Sequence, residues 1–568
     1  MKKSVWQARL VSTVTASPST GADLVVACLA AEGVDLVTGV PGTTVMEVID
    51  AIARRDDVRY LHTRHEQVAG FLADGSSRGG RLGVALVSRG PGAANAAIAV
   101  QNAYDESVPM LLLVGQVADR IVERRAFEEA DVVATFRPMT KWALEVRRAD
   151  RIPELLQRAV RTAVSGRPGP VVVSLPLDVL QDTVDEDVVP ARRWRPYPPA
   201  ADPSGVAEAV GVLAAAARPV VIAGGGAAHA PDDLTALADR LGAPLVTTWL
   251  RQGAVSHDHP AFLGALGYGV HDVTWRAVQE ADVVVALGCR FSEFSTRRWT
   301  LLHPGTRLVH VDVDPVELGR VYVPDVGLVA DAGVAARALA SALPPPDDAR
   351  LRRRTALRAE YEKASAPDSP VLDDDEPRGL VSSRAAIAAL TPLAARGDVL
   401  LVQDAPSFGP WTHRYLRLPR PGRFAGSAGG AMGWGFPAAM GLALARPELR
   451  TVCVSGDGSF WMVAQDLETC VREGLGVVTV VMNNNAYGNT RDRQRLAHDG
   501  RYLGVFYGNA DLAAFARSLG AFGVRVERDE DLPPALDAAL AQDGPAVVDV
   551  VQHPMYGLPP GLEPPAAR

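Results

Sequence analysis

Residues 451–488 read TVCVSGDGSFWMVAQDLETCVREGLGVVTVVMNNNAYG, and this stretch decides how the rest of the chain is read. Its apolar run 451–455 has the character of a buried parallel strand and breaks at Gly456-Asp457-Gly458. A helical stretch is expected next, with Val463, Leu467, Cys470 and Val471 at helical spacing and Gly474 and Gly476 as its stop. A second apolar strand over 477–482 then runs into Asn483-Asn484-Asn485. Parallel α/β sheets bind ligands at the carboxyl ends of their strands, and two such ends here carry oxygen ligands. They are the Asp457 carboxylate, the Asn484 amide oxygen and the Ala486 carbonyl. Three hard oxygens with open positions suit Mg²⁺, which completes its octahedron with water and phosphate oxygens. A GDG alone reads as a strand–turn–helix whose glycines only permit tight turning; its pairing with NN at the next strand end favours a ligand site.

Composition narrows the class. A chain of 568 residues has room for three or four domains. Its 48% hydrophobic and 22% charged content is that of a soluble globular protein. A net charge of −8 gives no electrostatic reason to expect nucleic acid or an anionic membrane as partner. Cys28, Cys289, Cys453 and Cys470 lack metal-ligand spacing; Cys453 and Cys470 fall in apolar segments, as buried small hydrophobes of a reducing, cytoplasmic protein do. Residues 1–19 have no continuous apolar core and read as a loose tail, neither signal peptide nor membrane anchor.

Strand and helix signals alternate from residue 20 onward, which implies doubly wound parallel sheets. The first domain spans 20–184. It holds strands over 34–40, 84–87, 110–114 and 171–175, with a helix from about Asn95. RHEQ at 64–67 opens another helix, whose Glu66 reads by itself as an acid placed at the positive helix end. An acidic, proline-rich linker at 185–204 leads to a central domain over 205–342. There Gly224-Gly225-Gly226 follows a strand but lacks the GxGxxG dinucleotide pattern. A second linker over 343–378 carries one exposed helix at about 348–363. The last domain spans 379–553, and a proline-rich tail covers 554–568.

The GDG…NN spacing resembles the diphosphate-anchoring motif of thiamine-diphosphate (ThDP) enzymes. Upstream, GVPGTTVMEVIDAI, RHEQVAGFLADG, SRGPGAANA, GQVADR, FEEADVV, RPMTK and SGRPGPVVVSLPLDV follow one another as in the pyrimidine domain of the acetolactate synthase family. The resemblance runs from about residue 20 to 553. It implies three doubly wound parallel-sheet α/β domains that are pyrimidine-binding, central and diphosphate-binding in turn. It implies ThDP and Mg²⁺ as cofactors, with Asp457, Asn484 and Ala486 on the metal. Glu66 would be the catalytic acid that hydrogen-bonds the aminopyrimidine ring, which calls for a buried carboxyl. The cofactor-binding set carried over is Pro41, Gly42, Glu66, Asn95, Gly430, Met432, Gly456, Asp457, Gly458, Ser459, Asn484, Ala486, Tyr487 and Gly488, with Met432 beneath the bent cofactor. In the family, the glutamate and the diphosphate site of one cofactor come from different subunits, so a homodimer or dimer of dimers is expected.

The implied reaction is decarboxylation of a 2-oxo acid such as pyruvate, followed by ligation to a second carbonyl acceptor. Gly90–Gly92 with Phe127 and the FEEADVV block resemble the carboligases, whereas Asp404-Ala405-Pro406-Ser407 is closer to benzoylformate-type decarboxylases or C–C lyases. A non-catalytic cofactor-binding member is the third reading, against which Glu66, Asp457 and Asn484 stand together. FAD is not expected. Arg290-Phe291-Ser292-Glu293-Phe294 stands where FAD-dependent synthases carry an RFDDR-like run, and Leu175-Pro176-Leu177-Asp178 where they carry IPKD. Phe127, Glu128 and Arg493 are the substrate candidates, with Arg493 in the place of an acceptor-selecting tryptophan. A regulatory subunit is left open by the sequence.

Overall fold

A computed structural model of the chain describes residues 20–185, 187–191, 193, 196–366, 380–405, 407–508, 510–555, 557–559 and 562. The tail expected over 1–19, residues 367–379 of the second linker and most of the tail expected over 554–568 lie outside the described residues. The chain divides into two compact units with its boundary between Pro196 and Tyr197.

The first unit is built on a six-stranded sheet of β1 (Leu36–Gly39), β2 (Arg59–His62), β3 (Gly83–Ser88), β4 (Met110–Gln116), β5 (Trp142–Glu145) and β6 (Pro170–Pro176), in the order β2-β1-β3-β4-β6-β5. All of its ladders are parallel. Every residue of β4 and β6 is buried, as expected for central strands covered by helices on both faces.

The second unit contains two more parallel sheets. One has β7 (Pro219–Ala223), β8 (Leu245–Thr247), β9 (Phe262–Ala265), β10 (Val283–Leu287), β11 (Arg307–Asp312) and β12 (Val326–Val329), ordered β12-β11-β10-β7-β8-β9. The other has β13 (Val399–Gln403), β14 (Phe424–Gly426), β15 (Arg450–Gly456), β16 (Val478–Asn483), β17 (Phe522–Val526) and β18 (Ala546–Val551), ordered β14-β13-β15-β16-β18-β17. Counted from its own first strand, this last sheet repeats the order of the first one. Each reverses direction between its first and third strands, the crevice where open α/β sheets bind ligands.

Three local expectations change. The helix expected through 463–471 is broken into Asp457–Trp461, a 3₁₀ turn Ala464–Asp466 and Leu467–Glu473. Val463 leaves helical geometry at φ −138°, and the buried Asp466 accepts from the Thr469 hydroxyl at 2.8 Å across the break. Gly474, at φ +64°, ends the last piece as expected. The helix expected from about Asn95 begins at Arg89, because Pro91 in its first turn forfeits no intrahelical hydrogen bond. The helix Asp348–Ala364 is not an exposed linker element: Leu357 and Tyr361 enter the core of the middle sheet, and the Arg358 guanidinium donates to the carbonyls of Phe262 (2.7 Å) and His257 (2.8 Å).

The glycines at 224–226 answer to packing. A Cβ on Gly224 would sit 2.0 Å from the Gly288 carbonyl oxygen, so the ends of β7 and β10 meet only without side chains. No helix among the described residues is long and apolar enough to cross a membrane.

Candidate active site

In the third sheet, Gly456 of β15 is in register with Met482 of β16, so Asp457 and Asn484 leave adjacent strands within about one residue of the same height. Asp457 opens a helix directly from the strand end. It is 3% exposed. Its Oδ1 accepts from the Gly458 N–H at 2.9 Å, while Oδ2 is buried with no hydrogen-bond partner. Burial pushes the Asp457 carboxyl up to about 6, against the lowering effect of Tyr507 and the backbone amides of Gly458 and Asn485. An ionised carboxylate with a buried bare oxygen is costly unless a cation or a donor meets it. The residues present fit a cation, which would meet this oxygen.

Asn484 is likewise buried; its Oδ1 accepts from the Ala486 N–H at 3.2 Å, and its Nδ2 donates to Ser407 Oγ at 3.4 Å. The first asparagine of the run is different: Asn483 Nδ2 donates to the buried Asp549 at 2.8 Å, within the sheet. Asn485 takes a left-handed φ of +53°, which turns the chain so that Ala486 bridges to Phe506. Small residues keep the neighbourhood open. A Cβ on Gly458 would lie 2.8 Å from the Tyr487 ring, and one on Gly488 would lie 2.6 Å from Ser407 Oγ. Gly456 caps the helix with extended geometry, and Ser459 lies buried within its first turn.

The loop bearing Gly430 and Met432 is tied down by the first residue of the run at 404–407. Asp404, at the end of β13, accepts from Ser455 Oγ at 2.9 Å and from the Ala405 N–H at 2.8 Å. Burial raises its carboxyl to about 6, and the amides of Gly435 and Gly433 oppose that rise. Gly430 has φ +75° and open space around its Cα, and Met432 is half-buried beside it.

In the first unit, Glu66 begins the helix Glu66–Arg78, capped by the His65 side chain. Asn95 Nδ2 donates to Glu66 Oε2 at 2.9 Å, and Oε1 lies over Gly92, where a Cβ would be 3.4 Å away. Glu66 is half-buried in the single chain, not enclosed as a fully buried acid would be. Pro41-Gly42 turns against Ser88, whose Cβ would stand 2.3 Å from any Cβ on Gly42. Arg89 at φ +53° carries the substrate candidates: it pairs with Glu128 at 3.4 Å and covers the ring of Phe127 at 5.6 Å, while Phe127 is 75% exposed. In the second unit Arg493 points to solvent, whereas its neighbour Arg491 is fully buried on Asp492 at 2.8 Å.

Three family models match the chain, each over the region of one sheet and its flanking helices. Residues 19–135 match the thiamine pyrophosphate enzyme N-terminal TPP binding domain, 206–339 its central domain and 404–550 its C-terminal TPP binding domain. The chain is 31% identical over 559 residues to the acetolactate synthase isozyme 1 large subunit of Escherichia coli K12, covering 97% of this chain and 98% of that one. It is 33% identical over 551 residues to an acetolactate synthase of Mycobacterium bovis, covering 94% and 88%. It is 32% identical over 564 residues to a probable acetolactate synthase large subunit of Methanocaldococcus jannaschii, covering 96% and 94%. The chain belongs to the ThDP-dependent acetolactate synthase family.

For an acetolactate synthase family member, the sequence did not single out Asp404 as the anchor of the 430–435 loop, Arg491 as the buried cation, or Tyr507. Asp404 was legible as a lone acid ending an apolar run at 399–403. Tyr507 had no local signal.

Proposed function

We propose that this enzyme decarboxylates pyruvate or another 2-oxo acid and joins the resulting fragment to a second carbonyl compound, using ThDP and Mg²⁺. The observation that carries this reading is the bare, buried Asp457 Oδ2 beside Asn484 at the end of β15, in a chain that belongs to a carboligase family.

In this proposal Asp457, the Asn484 amide oxygen and the Ala486 carbonyl hold Mg²⁺, with Gly456, Gly458, Ser459, Tyr487 and Gly488 around the diphosphate. The bound cofactor supplies the nucleophilic carbon and the electron sink that decarboxylation of a 2-oxo acid requires. Glu66 holds a proton toward the aminopyrimidine ring through Oε1, while Asn95 fixes Oε2 and with it the plane of the carboxylate. Met432 and Gly430 support the cofactor from the loop that Asp404 secures, and Pro41 and Gly42 border the ring. Phe127 and Glu128, steadied by Arg89, stand on the substrate's approach.

Glu66 of one protomer and Asp457 of another serve one cofactor, so the working unit is at least a homodimer. The designation of relatives as large subunits extends to this chain the proposal of a second, smaller partner subunit. The four buried, unpaired cysteines support a reducing, cytoplasmic setting.

The acceptor is proposed to be something other than 2-oxobutyrate. Phe294, which stands where the family places a carboxylate-binding arginine, is stacked on Trp249 with ring centroids 4.3 Å apart. Arg297 lies over Trp275 and Arg298 pairs with Glu293 at 3.2 Å. A desolvated carboxylate without a charged partner costs a few kcal/mol, on the order of one to three. Proton NMR of the products from pyruvate, alone and in competition with 2-oxobutyrate, tests both parts. Acetaldehyde as sole product would overturn carboligation. A strong preference for 2-oxobutyrate, undiminished in Arg493→Ala, would overturn the acceptor assignment.

A further inference from the structure

Tyr507 lies far in sequence from both motifs, yet it belongs with them in space. Its backbone N–H donates to the Asn485 carbonyl at 3.2 Å, and the Tyr487 N–H donates to the Val505 carbonyl at 2.9 Å, flanking the Ala486–Phe506 bridge. Its ring meets Tyr487 edge-on, with centroids 5.3 Å apart. Its hydroxyl stands 3.2 Å from where a Cβ on Gly458 would be. The segments GDG, NNNAYG and VFYG therefore converge on one point.

At that point are two oxygens of opposite chemistry. Asp457 Oδ2 and the Tyr507 hydroxyl are both buried; the hydroxyl lies against the Asp457 carboxyl, and neither oxygen meets a further partner. They are near enough for each to influence the other's proton affinity. Each keeps hydrogen-bonding capacity that the other does not fill, so a ligand that satisfies both is favoured over one that satisfies neither. A carboxylate oxygen calls for a cation and a phenol O–H calls for an acceptor. A cation-bound phosphate supplies both at adjacent atoms.

We propose that Tyr507 is a phosphate-anchoring residue of this site, its hydroxyl donating to an oxygen of the diphosphate whose cation Asp457 holds. The proposal rests on the cofactor reading given above and adds a residue to it. The phenol acts on the phosphate itself and does not merely steady the carboxylate.

The test uses the full-length protein and Tyr507→Phe, which keeps the ring and removes only the oxygen. Isothermal titration at saturating Mg²⁺ should show ThDP affinity weakened about tenfold, the scale of one hydrogen bond to a charged oxygen. Inorganic pyrophosphate with Mg²⁺ should weaken by a similar factor. Mn²⁺ alone, followed by electron paramagnetic resonance, should bind the variant and the parent equally. The ³¹P resonances of bound ThDP should move between the two proteins. Unchanged affinity for ThDP and pyrophosphate would overturn the proposal. So would a loss of Mn²⁺ affinity equal to the loss of pyrophosphate affinity, since Tyr507 would then act only through Asp457. Asp457→Asn separates this from the underlying reading: if that variant binds ThDP as the parent does, the cofactor site itself is misassigned; if it loses binding while Tyr507→Phe does not, only the role of Tyr507 falls.

Discussion

Asn95 Nδ2 donates to Glu66 Oε2 at 2.9 Å, joining two helices that leave the first sheet from β3 and β2. One carboxylate oxygen is thereby fixed and the other is left over Gly92, where the absence of a side chain keeps it approachable. Glu66→Gln should fold and bind ThDP nearly as the parent does, yet lose at least about two orders of magnitude in turnover, the scale of a lost proton-transfer partner. Asn95→Ala should cost less, about tenfold, because the carboxylate remains and only its orientation is freed. Steady-state rates beside ThDP titrations check both. Full activity in Glu66→Gln would remove the assignment.

Flavin should be absent or substoichiometric in the purified protein. Phe291 is buried against His310 and Tyr322, and Phe294 is stacked on Trp249, so the aromatic residues of this segment are committed to the protein's own packing. Absorbance at the flavin band in freshly purified, acid-precipitated protein decides the matter. A stoichiometric flavin whose removal abolishes activity would refute it.

Of the arginines in GNTRDRQ, the structure gives the stabilising role to Arg491 and not to Arg493. Arg491 is fully buried and donates through Nε and Nη2 to Asp492 Oδ1 and through Nη1 to the Pro554 carbonyl. Arg491→Leu leaves the buried Asp492 carboxylate with only the partly exposed Arg495, 4.0 Å away, and should lower unfolding free energy by about 3–5 kcal/mol. The double variant with Asp492→Leu should recover part of that loss. Arg493→Ala, at an exposed position, should stay within about 0.5 kcal/mol of the parent. Urea unfolding followed by tryptophan fluorescence measures all three.

Among the described residues, four buried histidines make the second unit sensitive to acid: burial lowers the pKa of His310, whose Nε2 is on the Cys289 carbonyl, and of three others besides. His257, His271 and His413 each place Nε2 on a backbone carbonyl, those of Gln252 (2.9 Å), Arg414 (3.0 Å) and Ala265 (3.1 Å). Burial, with nearby Arg358, Arg414 and Arg417, lowers them to about 3, about 4 and about 4 respectively. The unfolded chain binds these protons near pH 6.5 and the folded chain only near pH 4 or below, so their contribution to stability is complete above about pH 6.5 and is lost as pH falls through that window. The buried Nδ1 of His413 has no partner to receive a second N–H. His413→Gln should therefore flatten the pH dependence of unfolding free energy between about pH 4.5 and 6.5 by up to about 1.4 kcal/mol per pH unit. An unchanged slope would show that His413 does not titrate on unfolding.

What the sequence determined by itself was period and punctuation. Continuous apolar runs such as 110–114 and 478–482 can only be strands covered on both faces, and alternation with helices makes their sheets parallel. The glycines and acids after those runs mark carboxyl strand ends, which is how Asp457 and Asn484 stand out in local order, whereas Glu66 takes its meaning only from the family resemblance. The exposed-looking helix Asp348–Ala364 was misjudged because only Leu357 and Tyr361, with the stems of its buried arginines, meet the middle sheet. The break after Trp461 escaped notice because helical spacing of apolar residues persists across a 3₁₀ turn.

Tertiary structure decided what depends on chain segments meeting across long separations. Sheet order is one such matter, and the repeat of the first sheet's order in the last one has no trace in local pattern. The choice of Arg491 over Arg493 is another, since two arginines two positions apart on a helix face different surroundings and only packing says which is inside. The loop anchor Asp404 and the hydroxyl of Tyr507 are the last. Asp404 meets Ser455 through the parallel register of β13 and β15, and Tyr507 reaches the strand ends through the bridge between Ala486 and Phe506.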